Sequence, residues 1–137
     1  MCIRDRVKVF CEVYRERRDA LLDSLEQLMP EGTTWTKPAG GFYSWVTLPE
    51  GLDSKAMLPR AIAALVAYVP GTGFYVDGQG RQNLRLSYCY PEPDRIREGV
   101  RRLAGVIETE LELARTFGTA ESLHQPTGES TPAPDLA

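Results

Sequence analysis

Apolar residues recur at three- and four-residue steps from Val7 to Met29, which predicts a long amphipathic helix. Phe10, Val13, Tyr14, Leu21, Leu25 and Leu28 share its inner stripe with Arg17, while Glu12, Arg15, Glu16, Arg18, Asp19, Asp23 and Glu26 crowd the outer one. Pro30 and Gly32 end it. The period then falls to two. A short extended piece over Thr33–Thr36 is followed by a strand over Phe42–Leu48, with Phe42, Ser44, Val46 and Leu48 on one face and Tyr43, Trp45 and Thr47 on the other. Between them, Lys37-Pro38-Ala39-Gly40-Gly41 marks a sharp turn.

Asp53 or Ser54 is placed to cap a second helix that carries Met57, Leu58, Ile62 and Leu65 inward. Pro59 predicts a loose start or a kink there, because beyond the first turn proline removes a backbone hydrogen bond. Ala67–Val69 reads as a short strand ending at Pro70-Gly71, and the loop Thr72–Gln82 after it is rich in glycine. Asn83–Tyr88 alternates again, with Leu84, Leu86 and Tyr88 pointing one way and Asn83, Arg85 and Ser87 the other. A last helix opens at Pro93 and carries Ile96, Val100, Leu103, Ile107 and Leu111 to about Ala114, with Gly99 expected as a close-packing site. The order of elements predicts an α+β layer, a small sheet covered on one side by helices.

At 137 residues and a net charge of −3, the chain is long enough for one core and carries no basic footprint for nucleic acid. No apolar run is long enough to cross a bilayer. Cys2, Cys11 and Cys89 have neither Cys-x-x-Cys spacing nor histidines to complete a metal site, and so sparse a set of thiols suits a reducing, cytoplasmic compartment. From residue 115, and most plainly from Phe117, the sequence turns to Gly, Thr, Ser, Pro and Glu, the composition of a disordered tail, and takes the single histidine, His124, with it. Met1–Arg6 reads as a translated sequencing-adapter scar rather than native sequence. That leaves residues 7–114 as the folded domain.

The residue that calls for a chemical reason is Arg85, a cation in mid-strand between two leucines. Arginines so placed more often snorkel to solvent or pair with a nearby carboxylate. The other reading is a guanidinium kept for a ligand, since its planar fork grips a carboxylate through two parallel hydrogen bonds.

Four stretches decide between these by their company: Val13–Leu21, Pro38–Trp45, Val66–Phe74 and Asn83–Tyr88. In order and spacing they resemble the C-terminal, small domain of class I/II aminotransferases of fold type I, and in particular the 2-aminoadipate aminotransferase branch. The resemblance covers about Val7 to Leu113. It implies a dimeric enzyme that uses pyridoxal 5′-phosphate to move an amino group from an amino acid to a 2-oxo acid. Arg85 would hold the substrate's α-carboxylate, with Gly41, Tyr43 and Asn83 on the substrate side of the cleft and the Pro70–Phe74 loop nearby.

The likeness is incomplete on the cofactor side. Transamination needs a lysine that forms a Schiff base with the cofactor. The three lysines, Lys8, Lys37 and Lys55, lie at a helix start, before a proline turn and at another helix start, none in the family's Ser-x-x-Lys setting. No catalytic lysine is therefore assigned, and the resemblance implies that the cofactor is bound mainly by a large domain outside this sequence. An alternative of a different class is the effector-binding half of an aminotransferase-like transcription regulator. There Arg85 would hold an amino acid without turnover.

Overall fold

The computed structural model describes residues 2–122, and the side chains as far as 117. Its elements follow the predicted order: α1 (Ile3–Leu28), β1 (Thr34–Trp35), β2 (Tyr43–Thr47), α2 (Ser54–Ala63), β3 (Val69–Pro70), a 3₁₀ turn (Gly71–Phe74), β4 (Asn83–Ser87) and α3 (Pro93–Ser122). The four strands make one antiparallel sheet in the order β1-β2-β4-β3.

Alternation along β2 and β4 sorts the side chains onto two faces. Ser44, Val46, Leu84 and Leu86 turn inward, joined beyond the strand ends by Leu48 and Tyr88, and all six are buried. They pack on Leu21 and Leu25 of α1, Met57 and Ala61 of α2, and Ile96, Val100, Leu103 and Ile107 of α3, which form one continuous core. Each fully buried leucine, isoleucine or valine in it contributes about 1.5–3 kcal/mol. The one polar side chain among these strand residues, Ser44, donates from its hydroxyl to the Thr36 carbonyl at 2.9 Å. Tyr43, Trp45, Thr47, Asn83, Arg85 and Ser87 point away from the helices.

Several expectations are corrected. Phe10 and Leu28, assigned to the inner stripe of α1, are exposed. The reason is length: 26 residues of helix run about 39 Å, whereas a five-residue strand runs about 17 Å, so α1 overhangs the sheet. Inward contact begins near Val13, and Ile3, Val7 and Val9 lie on the overhang. α3 does not stop near Ala114 but continues to Ser122, beyond the expected start of the tail; residues 123–137 lie outside the described residues. Gly99 is no close-packing site, since a methyl there would meet only Val66 Cγ2, at 4.0 Å.

Arg17 has a structural reason to lie on the apolar stripe. Its guanidinium donates to the Cys89 carbonyl and to Glu92, both at 2.7 Å, tying α1 to the link between β4 and α3. The ends of α2 are equally defined, although Ile62 and Leu65, expected to turn inward, are exposed. Asp53 accepts from the backbone N–H groups of Lys55 and Ala56 at the start, and Pro59 is carried inside the helix. At the other end Leu65 N–H donates to Ile62 and Val66 N–H to Ala61, a Schellman closure that puts Leu65 at φ 61°. Glycine is the usual residue there, because a Cβ in left-handed backbone costs about 1–2 kcal/mol. Tyr68, buried behind this turn, donates its hydroxyl to the Ser54 carbonyl at 2.6 Å.

Two outcomes follow for stability. Leu65→Gly is expected to stabilise the chain by about 1 kcal/mol, because relief of the left-handed strain outweighs the small loss from an exposed leucine; thermal melts that place the variant at or below the parent would contradict it. Burial, reinforced by the charges of Glu110 and Asp53, raises the Tyr68 pKa. A phenol that holds its proton more tightly when folded adds stability that is complete below its unfolded pKa, about 10, and declines as pH rises above it. Chemical denaturation across pH 8–11 should therefore show a downward alkaline limb that Tyr68→Phe flattens. An unchanged limb would mean that another group is responsible.

Candidate functional site

Arg85 sits at the middle of β4, paired across the sheet with Trp45 of β2 on one side and Val69 of β3 on the other. Both neighbours are hydrogen-bonded strands, so its backbone has little freedom, and its side chain is committed to the face away from the helices. Its guanidinium lies over two aromatic rings, 4.0 Å from the centre of Tyr43 and 4.9 Å from that of Phe74. Among the described residues no carboxylate lies within ion-pair distance of it, and its N–H groups have no hydrogen-bond partner. The pairing that usually explains a mid-strand arginine is not made.

The aromatic surround is built from two directions. Tyr43 and Trp45 come from β2 by strand alternation. Phe74 and Tyr75 arrive from the turn after β3, and Trp45 meets their rings at 5.3 and 6.3 Å. That turn is drawn onto β4 by two glycines. A Cβ on Gly71 would come within 2.5 Å of the Gly80 carbonyl oxygen and 2.6 Å of Asn83 Cβ, a fit that only glycine permits. Gly80 has φ +80°, and a Cβ there would strike the Tyr75 ring. Close backbone approach at these two positions brings Phe74 to Arg85.

Of the other residues expected at the site, Tyr43 is brought into direct contact with Arg85. Asn83 shares its strand face two residues away, and its Nδ2 donates to Thr47 Oγ1 at 2.9 Å, opposite it on β2. Gly41, at φ +84° in the turn before β2, lines a different concavity of about 310 Å³ with Tyr14, Arg15, Arg18, Phe42 and Tyr88. There the Tyr88 hydroxyl donates to the Gly40 carbonyl, and burial raises its pKa against the lowering effect of Arg18. Phe74, Trp45 and Tyr75 were not assigned as site residues. The parity of Trp45 with Tyr43, and an aromatic pair set in a glycine-rich loop, were the signals available for them.

A groove of about 900 Å³ opens beside Arg85 where β3 ends after two residues, with Leu65, Val66 and Ile96 on the helix side and Val69 and Ser87 on the strand side. None of the three lysines reaches it. All three are exposed, Lys8 on the overhang of α1, Lys37 paired with Glu26 at 3.3 Å and Lys55 in the first turn of α2. The residues present thus suit a carboxylate and do not suit a pyridoxal group, for which no buried amine is at hand.

Known proteins share stretches of this sequence and this fold. The family described as Aminotransferase class I and II matches residues 5–103. Aromatic-amino-acid aminotransferase 1 of Thermococcus litoralis is 49% identical over 100 residues, which span 73% of this chain and 24% of that protein. The structure of LysN, the α-aminoadipate aminotransferase of Thermus thermophilus, complexed with N-(5′-phosphopyridoxyl)-L-leucine, superposes with a TM-score of 0.71 at 40% identity, covering 74% of this chain and 26% of that one. A lesser match, 36% identical over 90 residues, joins 66% of this chain to 18% of the uncharacterized HTH-type transcriptional regulator YisV of Bacillus subtilis. The chain spans about a quarter of the length of the aminotransferases it matches. With the family's description matching most of the folded residues, and the small α+β layer shared with the solved structure, the chain belongs to the class I and II aminotransferases.

Proposed function

We propose that this chain is the substrate-side portion of a longer pyridoxal-phosphate-dependent amino acid aminotransferase, with residues 7–114 as its small domain and Arg85 as the residue that holds the α-carboxylate. The observation that carries the reading is the unpartnered guanidinium of Arg85 on an open, aromatic-lined face. An amino acid and the 2-oxo acid it becomes share that carboxylate, so one arginine serves both half-reactions. The bidentate contact fixes the carboxylate in a plane and so orients Cα, which is where proton transfer must be directed. Tyr43 and Asn83 border the same face and would limit where the rest of the substrate lies.

The cofactor supplies the electron sink for amino-group transfer when bound. Its lysine and its phosphate site are assigned to residues outside this chain, consistent with the exposed positions of Lys8, Lys37 and Lys55. The whole enzyme is taken to be a cytoplasmic homodimer. The same grip in an effector-binding regulator would hold an amino acid without turnover. The aminotransferase reading is preferred because the regulator match has lower identity and covers less of the chain.

Two measurements bear on this reading. In the longer protein that carries this chain, Arg85→Ala should cost about 3–5 kcal/mol by leaving the substrate carboxylate unpaired, a fall in kcat/KM of about 10²–10³-fold or more. Arg85→Lys should recover little, because an ammonium lacks the planar fork. Near-full activity of the alanine variant would remove Arg85 from the site.

The second concerns the chain by itself. Reductive trapping with borohydride in the presence of pyridoxal phosphate is expected to label Lys8, Lys37 and Lys55 weakly and without selectivity, since hydrated ammonium groups react slowly with the aldehyde. Peptide mapping that found one lysine labelled at one-to-one stoichiometry would show that the cofactor half of the site is present after all.

A further inference from the structure

A half-buried arginine with all its N–H donors unpaired has to be held by something, or it will adopt many rotamers and make carboxylate capture slow to organise. A carboxylate neighbour would hold it, but would compete with the substrate for the same fork. Among the described residues none does so. What touches the guanidinium is the Tyr43 ring at 4.0 Å and the Phe74 ring at 4.9 Å. A ring face attracts a cation through its quadrupole and makes no use of the in-plane N–H donors. It can therefore fix the plane of the guanidinium while leaving its hydrogen-bonding edge available.

We propose that Phe74, acting with Tyr43, is a positioning residue for Arg85: the two ring faces take the place of a counter-ion and present the arginine fork, already oriented, to the substrate carboxylate. The inference rests on the reading of Arg85 as the carboxylate-binding residue. It assigns a purpose to the packing around it. Gly71 and Gly80 meet so closely that neither tolerates a Cβ, and that closure sets the turn bearing Phe74 over the strand bearing Arg85. Trp45, edge-on to Phe74 at 5.3 Å, braces the ring from the β2 side. Tyr43 is held in turn by Phe42, whose own ring packs on Tyr14 of α1. Both rings thus have support that does not pass through Arg85.

Leucine fills nearly the volume of phenylalanine but has no π face, whereas tyrosine keeps the face. The pair Phe74→Leu and Phe74→Tyr therefore separates a clamp from mere space-filling. In the 137-residue chain, the Arg85 Nε–Hε resonance, assigned by its loss in Arg85→Ala, should be ring-shifted and should move on titration with propionate. In Phe74→Leu the signal is expected to collapse toward that of an exposed arginine, and the propionate midpoint to rise about three- to thirty-fold, the range that a cation–π contact is worth. Phe74→Tyr should retain both. Tyr43→Leu and Tyr43→Phe form an independent second pair, and circular dichroism checks that each variant is folded.

In the longer protein the same loss should appear in KM for the amino acid, with kcat little changed. If the leucine and tyrosine variants at position 74 behave alike while Arg85→Ala abolishes propionate binding, the clamp is wrong and the carboxylate reading stands. If Arg85→Ala binds propionate as the parent does, the carboxylate reading is wrong and the clamp falls with it.

Discussion

Everything at the candidate site depends on β4 being hydrogen-bonded along both edges, to β2 on one side and to β3 on the other. A strand held on both sides has one register. A slip of a single residue would carry Leu84 and Leu86 out of the core and drive Arg85 into it, where an unpaired charge costs several kcal/mol. Burial of three large side chains on the inner face therefore fixes, with no further instruction, the face on which the cation appears. The hydrophobic effect places the charge.

The two faces of the sheet are built on opposite principles. The inner one is closed, with Ser44 as its lone polar strand side chain and that hydroxyl hydrogen-bonded. The outer one is a mixed surface of rings, amide and guanidinium on which Tyr43, Phe74 and Tyr75 remain partly exposed. Several other arginines are held by carboxylates: Arg17 with Glu92, Arg18 with Asp19, Arg60 with Glu110, and Arg101 and Arg102 with Glu98. Those last two donors hold the Glu98 carboxyl down at about 2. Against that background an arginine surrounded by rings is a departure in kind, and it falls on the face that the helices leave open.

Much of this was legible in the chain because strand and helix periods are strong signals over such distances. The parities of 42–48 and 83–88 separated the two faces of the sheet correctly, whereas the place of Arg17 on an apolar stripe gave no sign of its partner, Glu92. What local sequence did not carry was length matching. Phe10 obeys the helical period as well as Leu21 does, and only the short span of the strands beneath explains why one is exposed and the other buried. Gly99 was misread for a similar reason: a glycine on a packed helix suggests crowding, yet its neighbour Val66 stands back. The ring contacts on Arg85 were hidden because Phe74 reaches it from a turn whose path is set by two glycines, Gly71 and Gly80, that meet although they are well separated along the chain.

The segment from Gly71 to Gly80 is closed at its neck and open at its tip. Asn83 N–H donates to the Gly80 carbonyl, Ser54 N–H to that of Arg81 and Leu48 N–H to that of Gln82, so the returning strand is anchored before the loop has ended. Val76 to Gln79, by contrast, are exposed, and Gly78 there has positive φ. The entropy cost of lengthening a loop grows only with the logarithm of its length once its ends are fixed. The tip can therefore gain or lose residues at small energetic cost while Phe74 stays where it is. It is the point at which evolution could refashion the rim of the cleft, by insertion, without disturbing the arginine beneath it.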